Sequence, residues 1–402
     1  MVIKTVHARE ILDSRSQPTL EVSMTSDRGH EVIFSVPCGK STGEYEAVEL
    51  RDGDKNRYRG MGVLKAVAAT DEIAPKLIGK LVGNQSDFDK ALIKLDGTEN
   101  KHRLGANTIL ALSGAYYRLS ALEAGVPLWQ QISKTLDSKP AFPRIFANVV
   151  NGGKHAPGLD VQEFIISPKE TLPSRSVPAA VQIYQNLGDA LAKKYGPASH
   201  LVGDEGGYAP VGATHDEIWT LLRKFAGTEA DLAADAAATS FETKGGYKFE
   251  GKQIAREKLF QIYLDWAEEY DLLSIEDPFG EEDLEGFEAL AVKKPSFFVI
   301  GDDVTVTSAE RINALASHKL IGGVIIKPNQ IGTVTETLQA IQAANKHSLK
   351  VVVSHRSGET SDDFIVDLAY GAGAYAIKVG SPNRGERVAK YNRLLAIEEE
   401  IS

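Results

Sequence analysis

Leu272-Leu273-Ser274-Ile275-Glu276 is a short apolar run that ends on an ionisable side chain. The chain repeats this pattern on both sides. Upstream, Leu232-Ala233-Ala234 ends on Asp235. Downstream, Phe297-Phe298-Val299-Ile300-Gly301 ends on Asp302, Val324-Ile325-Ile326 on Lys327, Val351-Val352-Val353-Ser354 on His355, and Tyr375-Ala376-Ile377 on Lys378. Successive end residues stand 23 to 41 positions apart, room for one crossover helix each, and residues 255–270 and 334–344 read as two of those helices. Continuous apolar runs joined by helices are the signature of buried parallel strands. Six such units predict a β/α barrel, in which side chains at the C-terminal strand ends converge on one mouth. Charged residues follow single strands routinely as caps and loops. Six in succession, all Asp, Glu, Lys or His, point instead to a site.

The first 130 residues or so read differently. Residues 19–24 and 31–36 alternate in polarity around Ser26-Asp27-Arg28-Gly29, which predicts a β-hairpin. Val63, Val67, Ile73, Leu77 and Ile78 recur at helical spacing, and the apolar segment 106–124 stops at Gly125-Val126-Pro127. The expectation is an α+β domain over residues 1–135 and a barrel domain over 140–402, divided near Lys139-Pro140.

Composition narrows the function classes. With 45 Lys and Arg against 55 Asp and Glu, the net charge is −10, which argues against a general nucleic-acid or anionic-membrane binder. It leaves room for a small anionic substrate in a locally positive site. The single cysteine, Cys38, excludes an intrachain disulfide and a thiolate zinc cluster. No run of 18 apolar residues exists and no signal-peptide pattern opens the chain, so the expectation is a cytoplasmic protein without a membrane span.

Asp235, Glu276 and Asp302 would meet at the barrel mouth. Three carboxylates in a dry site need a cation, and an all-oxygen set suits Mg2+; an ion-pair network with nearby lysines is the alternative. Lys327 and Lys378 follow later strands. A lysine beside a dication and a second lysine is expected to have a lowered pKa and to serve as a base, and a base paired with a metal suits proton abstraction next to a carboxylate. Gly203-Asp204-Glu205-Gly206-Gly207 sets Glu205 in a glycine loop, as an acid or as a solvated turn residue. His355-Arg356-Ser357-Gly358 reads as an anion cradle. Asn151-Gly152-Gly153-Lys154-His155 precedes Gln162-Glu163, and a lone histidine there is equally a structural one.

These residues resemble the enolase family nearly end to end. The resemblance runs through Asp13-Ser14-Arg15, Ser41-Thr42-Gly43, Glu49-Leu50-Arg51-Asp52-Gly53-Asp54, Leu104-Gly105-Ala106-Asn107 and Asn151-Gly152-Gly153. It continues through Gly203-Asp204-Glu205-Gly206-Gly207, Ser274-Ile275-Glu276-Asp277-Pro278, Gly301-Asp302-Asp303, Lys327-Pro328-Asn329-Gln330-Ile331-Gly332-Thr333, Ser354-His355-Arg356-Ser357-Gly358-Glu359-Thr360 and Ala389-Lys390-Tyr391-Asn392. It implies a lid domain, a modified (β/α)8 TIM-like barrel with atypical first turns, and reversible dehydration of 2-phosphoglycerate to phosphoenolpyruvate with two Mg2+ ions. Position by position it implies Asp235, Glu276 and Asp302 as ligands of the first Mg2+ and Ser41 as a ligand of the second. Lys327 would take the C2 proton, and Glu205, supported by Glu163, would protonate the leaving hydroxyl. Lys378 would hold the substrate carboxylate, Arg356 and Ser357 the phosphate, and His155 and His355 would close the site. The family is usually a homodimer or an octamer of dimers.

The chain departs from the family pattern in places. Cys38-Gly39-Lys40-Ser41-Thr42-Gly43 stands where the lid usually reads Ser-Gly-Ala-Ser-Thr-Gly, and Ser16-Gln17 where Gly-Asn is usual. The loop from His155 to Glu163 is one residue short and contains Pro157, and Ser240 takes a usually acidic position. Lys40 is either a solvated lid side chain or an extra cation for an extra anionic group, as in a paralogue acting on a modified phosphorylated 2-acid. A barrel kept as a low-activity binding protein would show damage to the catalytic set, and there is none. The racemase branch of the superfamily would carry paired lysines on an earlier strand and lack the Gly-Asp-Glu-Gly-Gly loop.

Overall fold

A computed structural model describes residues 1–40, 45–80 and 83–402. Three antiparallel strands open the chain: β1 (Ile3–Leu12), β2 (Pro18–Ser26) and β3 (Glu31–Ser35), in the order β1-β2-β3. The predicted hairpin is β2–β3, with Val22 opposite Phe34; β1 extends it with a third strand. Four helices follow: α1 (Leu64–Leu77), α2 (Gln85–Asp96), α3 (Ala106–Glu123) and α4 (Leu128–Leu136). α3 is buried around nearly its whole circumference, so it serves as the centre of this layer rather than as a surface helix. A Cβ at Gly114 would lie 2.2 Å from the ring of Phe34; only glycine lets the sheet approach the helix this closely.

The rest of the chain closes a barrel of eight strands. They are β4 (Arg144–Asn151), β5 (Glu163–Pro168) and β6 (Ala230–Asp235), then, after a small antiparallel flap of β7 (Glu242–Thr243), β8 (Gly246–Phe249) and β9 (Lys252–Ile254), β10 (Leu272–Glu276), β11 (Phe298–Gly301), β12 (Gly323–Ile326), β13 (Lys350–Ser354) and β14 (Ala376–Lys378). Around the barrel the order is β10-β11-β12-β13-β14-β4-β5-β6. β5 runs antiparallel to both β4 and β6, and every other pair is parallel. The first turn is thus a hairpin instead of a β/α unit, the atypical opening that the resemblance implied.

Helices α5 (Pro173–Tyr195), α6 (His215–Ala226), α7 (Arg256–Glu269), α8 (Leu284–Lys293), α9 (Ala309–Ser317), α10 (Pro328–Ile331), α11 (Val334–Lys346), α12 (Phe364–Ala372) and α13 (Gly385–Ile401) follow in chain order. α6 opens on a reciprocal cap in which Thr214 and Glu217 each satisfy the other's backbone N–H. Thr333 caps α11 in the same position, accepting from Glu336 N at 3.1 Å. Phe146, Ile165, Ala233, Phe298, Ile300, Ile325, Val352 and Ala376 form a buried cluster of their own. These residues alternate with outward-facing core residues along their strands, so they fill the barrel interior beneath the mouth. Among the described residues no helix is long and apolar enough to cross a membrane.

Candidate active site

Strand direction decides what reaches the mouth. β6, β10 and β14 end on Asp235, Glu276 and Lys378, and Asp302, Lys327 and His355 come immediately after β11, β12 and β13. β5 runs the other way, so its first residue, Glu163, lies at the same end, paired with Asn151 at the end of β4 and with Asp235. The mouth opens into a cleft of about 600 Å3 lined by His155, Glu163, Glu205, Asp235, Asp302, Lys327, His355, Arg356, Ser357 and Lys378. Eleven of the twelve side chains singled out from the sequence are thus brought to one place or just beneath it. Glu276 is the one beneath, capped by Lys378, and Ser41 lies outside the described residues.

Lys378 is the hub of the floor. Its buried ammonium lies 2.8 Å from Glu276 Oε2, 2.9 Å from Asp235 Oδ2 and 3.2 Å from Glu163 Oε2. Burial pulls the ammonium down, but Asp235, Glu163 and Glu276 hold it well above its ordinary value. The carboxylates are not all satisfied in return. Among the described residues Glu276 Oε1 is buried with no hydrogen-bond partner, and burial, reinforced by Asp235, pushes Glu276 well above the usual carboxylate range. An orphaned carboxylate oxygen in an all-oxygen set fits a hard cation. Asp277, Asp302 and Asp303 also bring oxygens within 4.8 Å of one another. Both Asp277 oxygens there accept backbone N–H groups, from Asp302 at 2.9 Å and Asp303 at 2.8 Å, so the turn itself holds that carboxylate.

The lowering expected for Lys327 invokes a dication as well as a second lysine; among the protein's own groups its ammonium is paired directly with Asp302 Oδ2. Burial, Arg356 and Lys378 push the ammonium down, yet Asp302 and Glu276 outweigh them and hold it above the ordinary lysine value. Asp302 is stabilised in turn: burial raises it, and Lys327 brings it below the usual range.

On the opposite wall, Glu205 accepts a hydrogen bond from Asn148 Nδ2 at 2.9 Å and lies between two imidazoles, 3.4 Å from His155 Nδ1 and 3.6 Å from His355 Nε2. Burial pushes Glu205 up, but His155, His355, Arg387 and Lys378 hold it well below the usual range. Burial sends Glu163 the other way, well above that range, with Glu205 adding to the push. His155, Glu163 and Glu205 offer atoms within 4.8 Å of one another. The two carboxyls are thus displaced in opposite directions, Glu163 towards its neutral form and Glu205 towards its ionised form.

Residues 139–402 match the family model described as the enolase C-terminal TIM barrel domain, and residues 3–132 match the enolase N-terminal domain. The chain belongs to the enolase family. It is 42% identical to "Enolase 1" of Entamoeba histolytica, an alignment covering 100% of this chain and 97% of that protein. It is 43% identical to the enolase of Methanosarcina mazei, covering 99% and 95%, and 44% identical to that of Methanocaldococcus jannaschii, covering 99% and 95%.

This enolase also holds its site with residues that the sequence reading passed over. Arg387, on α13, is fully buried; it reaches His355 Nδ1 at 2.7 Å and donates to the carbonyls of Arg356 at 2.6 Å and Ser357 at 2.7 Å. Glu46, from the N-terminal part, pairs with Arg356 at 3.2 Å. Gln330 donates to Asp302 Oδ1 at 3.0 Å. Glu359 accepts the Arg356 backbone N–H at 3.1 Å, and Lys390 pairs with Glu359 at 2.7 Å. Gln330, Glu359 and Lys390 stand inside motifs quoted for the resemblance. Glu46 and Arg387 stand in none.

Proposed function

We propose a division of labour for the reaction of this enolase, the reversible dehydration of 2-phosphoglycerate to phosphoenolpyruvate by a phosphopyruvate hydratase. Lys327 Nζ takes the proton from C2, and the electron pair left behind spreads into the adjacent carboxylate. Glu205 then protonates the 3-hydroxyl as the C3–O bond breaks, and water leaves with the bonding pair. Glu163, displaced towards its neutral form beside Glu205, supports Glu205 in this role. Lys378 faces the substrate carboxylate, while Arg356 and Ser357 hold the phosphate. His155 and His355 flank Glu205 and wall the acid off from water.

Asp235, Glu276 and Asp302 would hold a Mg2+ ion, and Ser41 a second. Mg2+ bound there would supply positive charge to stabilise the electron pair that spreads into the substrate carboxylate; among the protein's own groups, burial, Arg356 and Lys378 push the Lys327 ammonium down while Asp302 and Glu276 hold it up. Two ions per site, a homodimer, a cytoplasmic location and the domain division at residues 1–135 and 140–402 belong to the same reading.

The observation that carries it is the opposition of Lys327 on one wall to the Glu163–Glu205 pair on the other, a base and an acid across one cleft. The test is a phosphoenolpyruvate absorbance assay on 2-phosphoglycerate with Mg2+, repeated in EDTA. Metal-dependent turnover is expected. Folded, Mg2+-binding protein that leaves 2-phosphoglycerate untouched would move the reading to a paralogue with a different phosphorylated 2-acid.

A further inference from the structure

Lys40 stands where the family lid usually has alanine, and its surroundings say which of its two readings holds. Its ammonium lies 2.8 Å from Asp204 Oδ2 and donates to the Lys154 backbone carbonyl. Each partner is the chain neighbour of a site residue: Asp204 precedes Glu205, and Lys154 precedes His155. The two loops are joined at their base, where Gly207 N donates to Asn151 Oδ1 at 3.0 Å, but beside the site they meet only through long contacts among the described residues, Asp204 N to the His155 carbonyl at 3.5 Å and His155 Nδ1 to Glu205 at 3.4 Å. Lys40 itself is anchored to the barrel two residues earlier, where Cys38 and Gly358 exchange backbone hydrogen bonds of 2.7 and 2.9 Å. A cation committed to a carboxylate and a carbonyl is not held out for an extra anionic group on the substrate.

We propose that Lys40 is a positioning residue that fastens the Glu205 loop to the His155 loop, fixing the separation of acid and imidazole. The proposal rests on the assignment of Glu205 as the acid. An unfastened pair should slow the dehydration half of the reaction and spare proton abstraction at Lys327, which lies on the other wall.

The experiment compares wild type with Lys40→Ala, Lys40→Arg and Asp204→Asn. In Lys40→Ala, kcat for dehydration should fall about tenfold, a modest share of what a misplaced group costs. Exchange of the C2 proton with solvent should stay within about twofold, and Lys40→Arg, which keeps the cation, should recover most of the loss. Asp204→Asn should match Lys40→Ala, and the double variant should be no worse than either, because both remove one link. Hydrogen-exchange mass spectrometry reads loop order without turnover: peptides spanning 152–156 and 203–207 should exchange faster in Lys40→Ala and not in Lys40→Arg. A rise in KM with kcat unchanged would mean that Lys40 binds substrate, and would overturn the proposal. So would unchanged amide exchange in both peptides, or equal loss of dehydration and proton exchange. Loosened loops in a wild-type background that fails to dehydrate 2-phosphoglycerate would sustain the fastening and overturn the functional reading instead.

Discussion

Lys390→Met tests whether the anion cradle is held by a buried charge pair. Lys390 is wholly buried on α13; its ammonium contacts Glu359 Oε2 at 2.7 Å and the Thr360 carbonyl at 2.6 Å. Glu359 also accepts the backbone N–H groups of Arg356 and Thr360, both at 3.1 Å. Methionine keeps the length and bulk of the aliphatic stem and deletes only the charge. The Glu359 carboxylate then stays buried with two N–H donors and no countercharge, and leaving one partner of a buried pair costs about 3–5 kcal/mol. An unfolding entropy of about 2.1 cal/mol/K per residue, taken over the chain, gives about 0.8 kcal/mol per degree, so Tm should fall by about 4–6 °C. Differential scanning calorimetry at pH 7 measures this directly. Glu359→Gln in the Lys390→Met background removes the stranded charge and should recover about half of the loss. A single variant melting within about 1 °C of wild type, or a double variant less stable than Lys390→Met, would refute the reasoning.

Three further outcomes follow from the geometry. Lys327→Ala should abolish exchange of the C2 proton of 2-phosphoglycerate, and exchange retained at the wild-type rate would remove Lys327 as the base. Glu205→Gln should lower dehydration by at least about a hundredfold while proton exchange continues; loss of both together would place Glu205 at an earlier step. Asp303 is pushed up to about 7, by burial first and by Asp302 second. Its unfolded carboxyl ionises near the usual value, so its destabilising effect is absent at low pH and grows as pH rises towards 7. Asp303→Asn in EDTA should therefore gain on wild type progressively from about pH 4 to pH 7 and level off above, by up to about 4 kcal/mol, and a pH-independent difference in denaturant midpoint across that range would count against the shift.

What the sequence made legible follows from one regularity and stops where it fails. An apolar run ending on a polar residue marks a strand that runs toward the mouth, which is why the segments ending on or beside Asp235, Glu276, Asp302, Lys327, His355 and Lys378 could be read as strands of one barrel. β5 carries the same signal reversed: Glu163 precedes Phe164-Ile165-Ile166 because the strand runs away from the mouth. The β4–β5 hairpin was missed for that reason. β1 buries only two of its ten residues fully, too few to show alternation. The flap strands β7 to β9 are two to four residues long, below the length at which periodicity has meaning. Arg387 sits in a helix whose sequence, Gly385-Glu386-Arg387-Val388-Ala389-Lys390, looks solvent-facing. Its partners are mainly backbone carbonyls, which leave no trace in residue types. The pKa of Lys327 could not be read from strand order because it turns on which carboxylate its ammonium touches.

The hub at Lys378 has a consequence for how the barrel shuts. β14 is three residues long and bridges β13 to β4, with Lys378 opposite Ser354 on one side and Phe146 on the other. So short a strand has few backbone hydrogen bonds with which to choose its alignment. A slip of one residue would turn Lys378 from the inside of the barrel to the outside. Glu163, Asp235 and Glu276 would then be buried without their cation, at a cost of several kcal/mol. The ammonium thus acts as a key at the seam: the strand that completes the ring carries the charge that only one alignment can deliver, and misaligned closure is penalised by the same carboxylates that line the mouth.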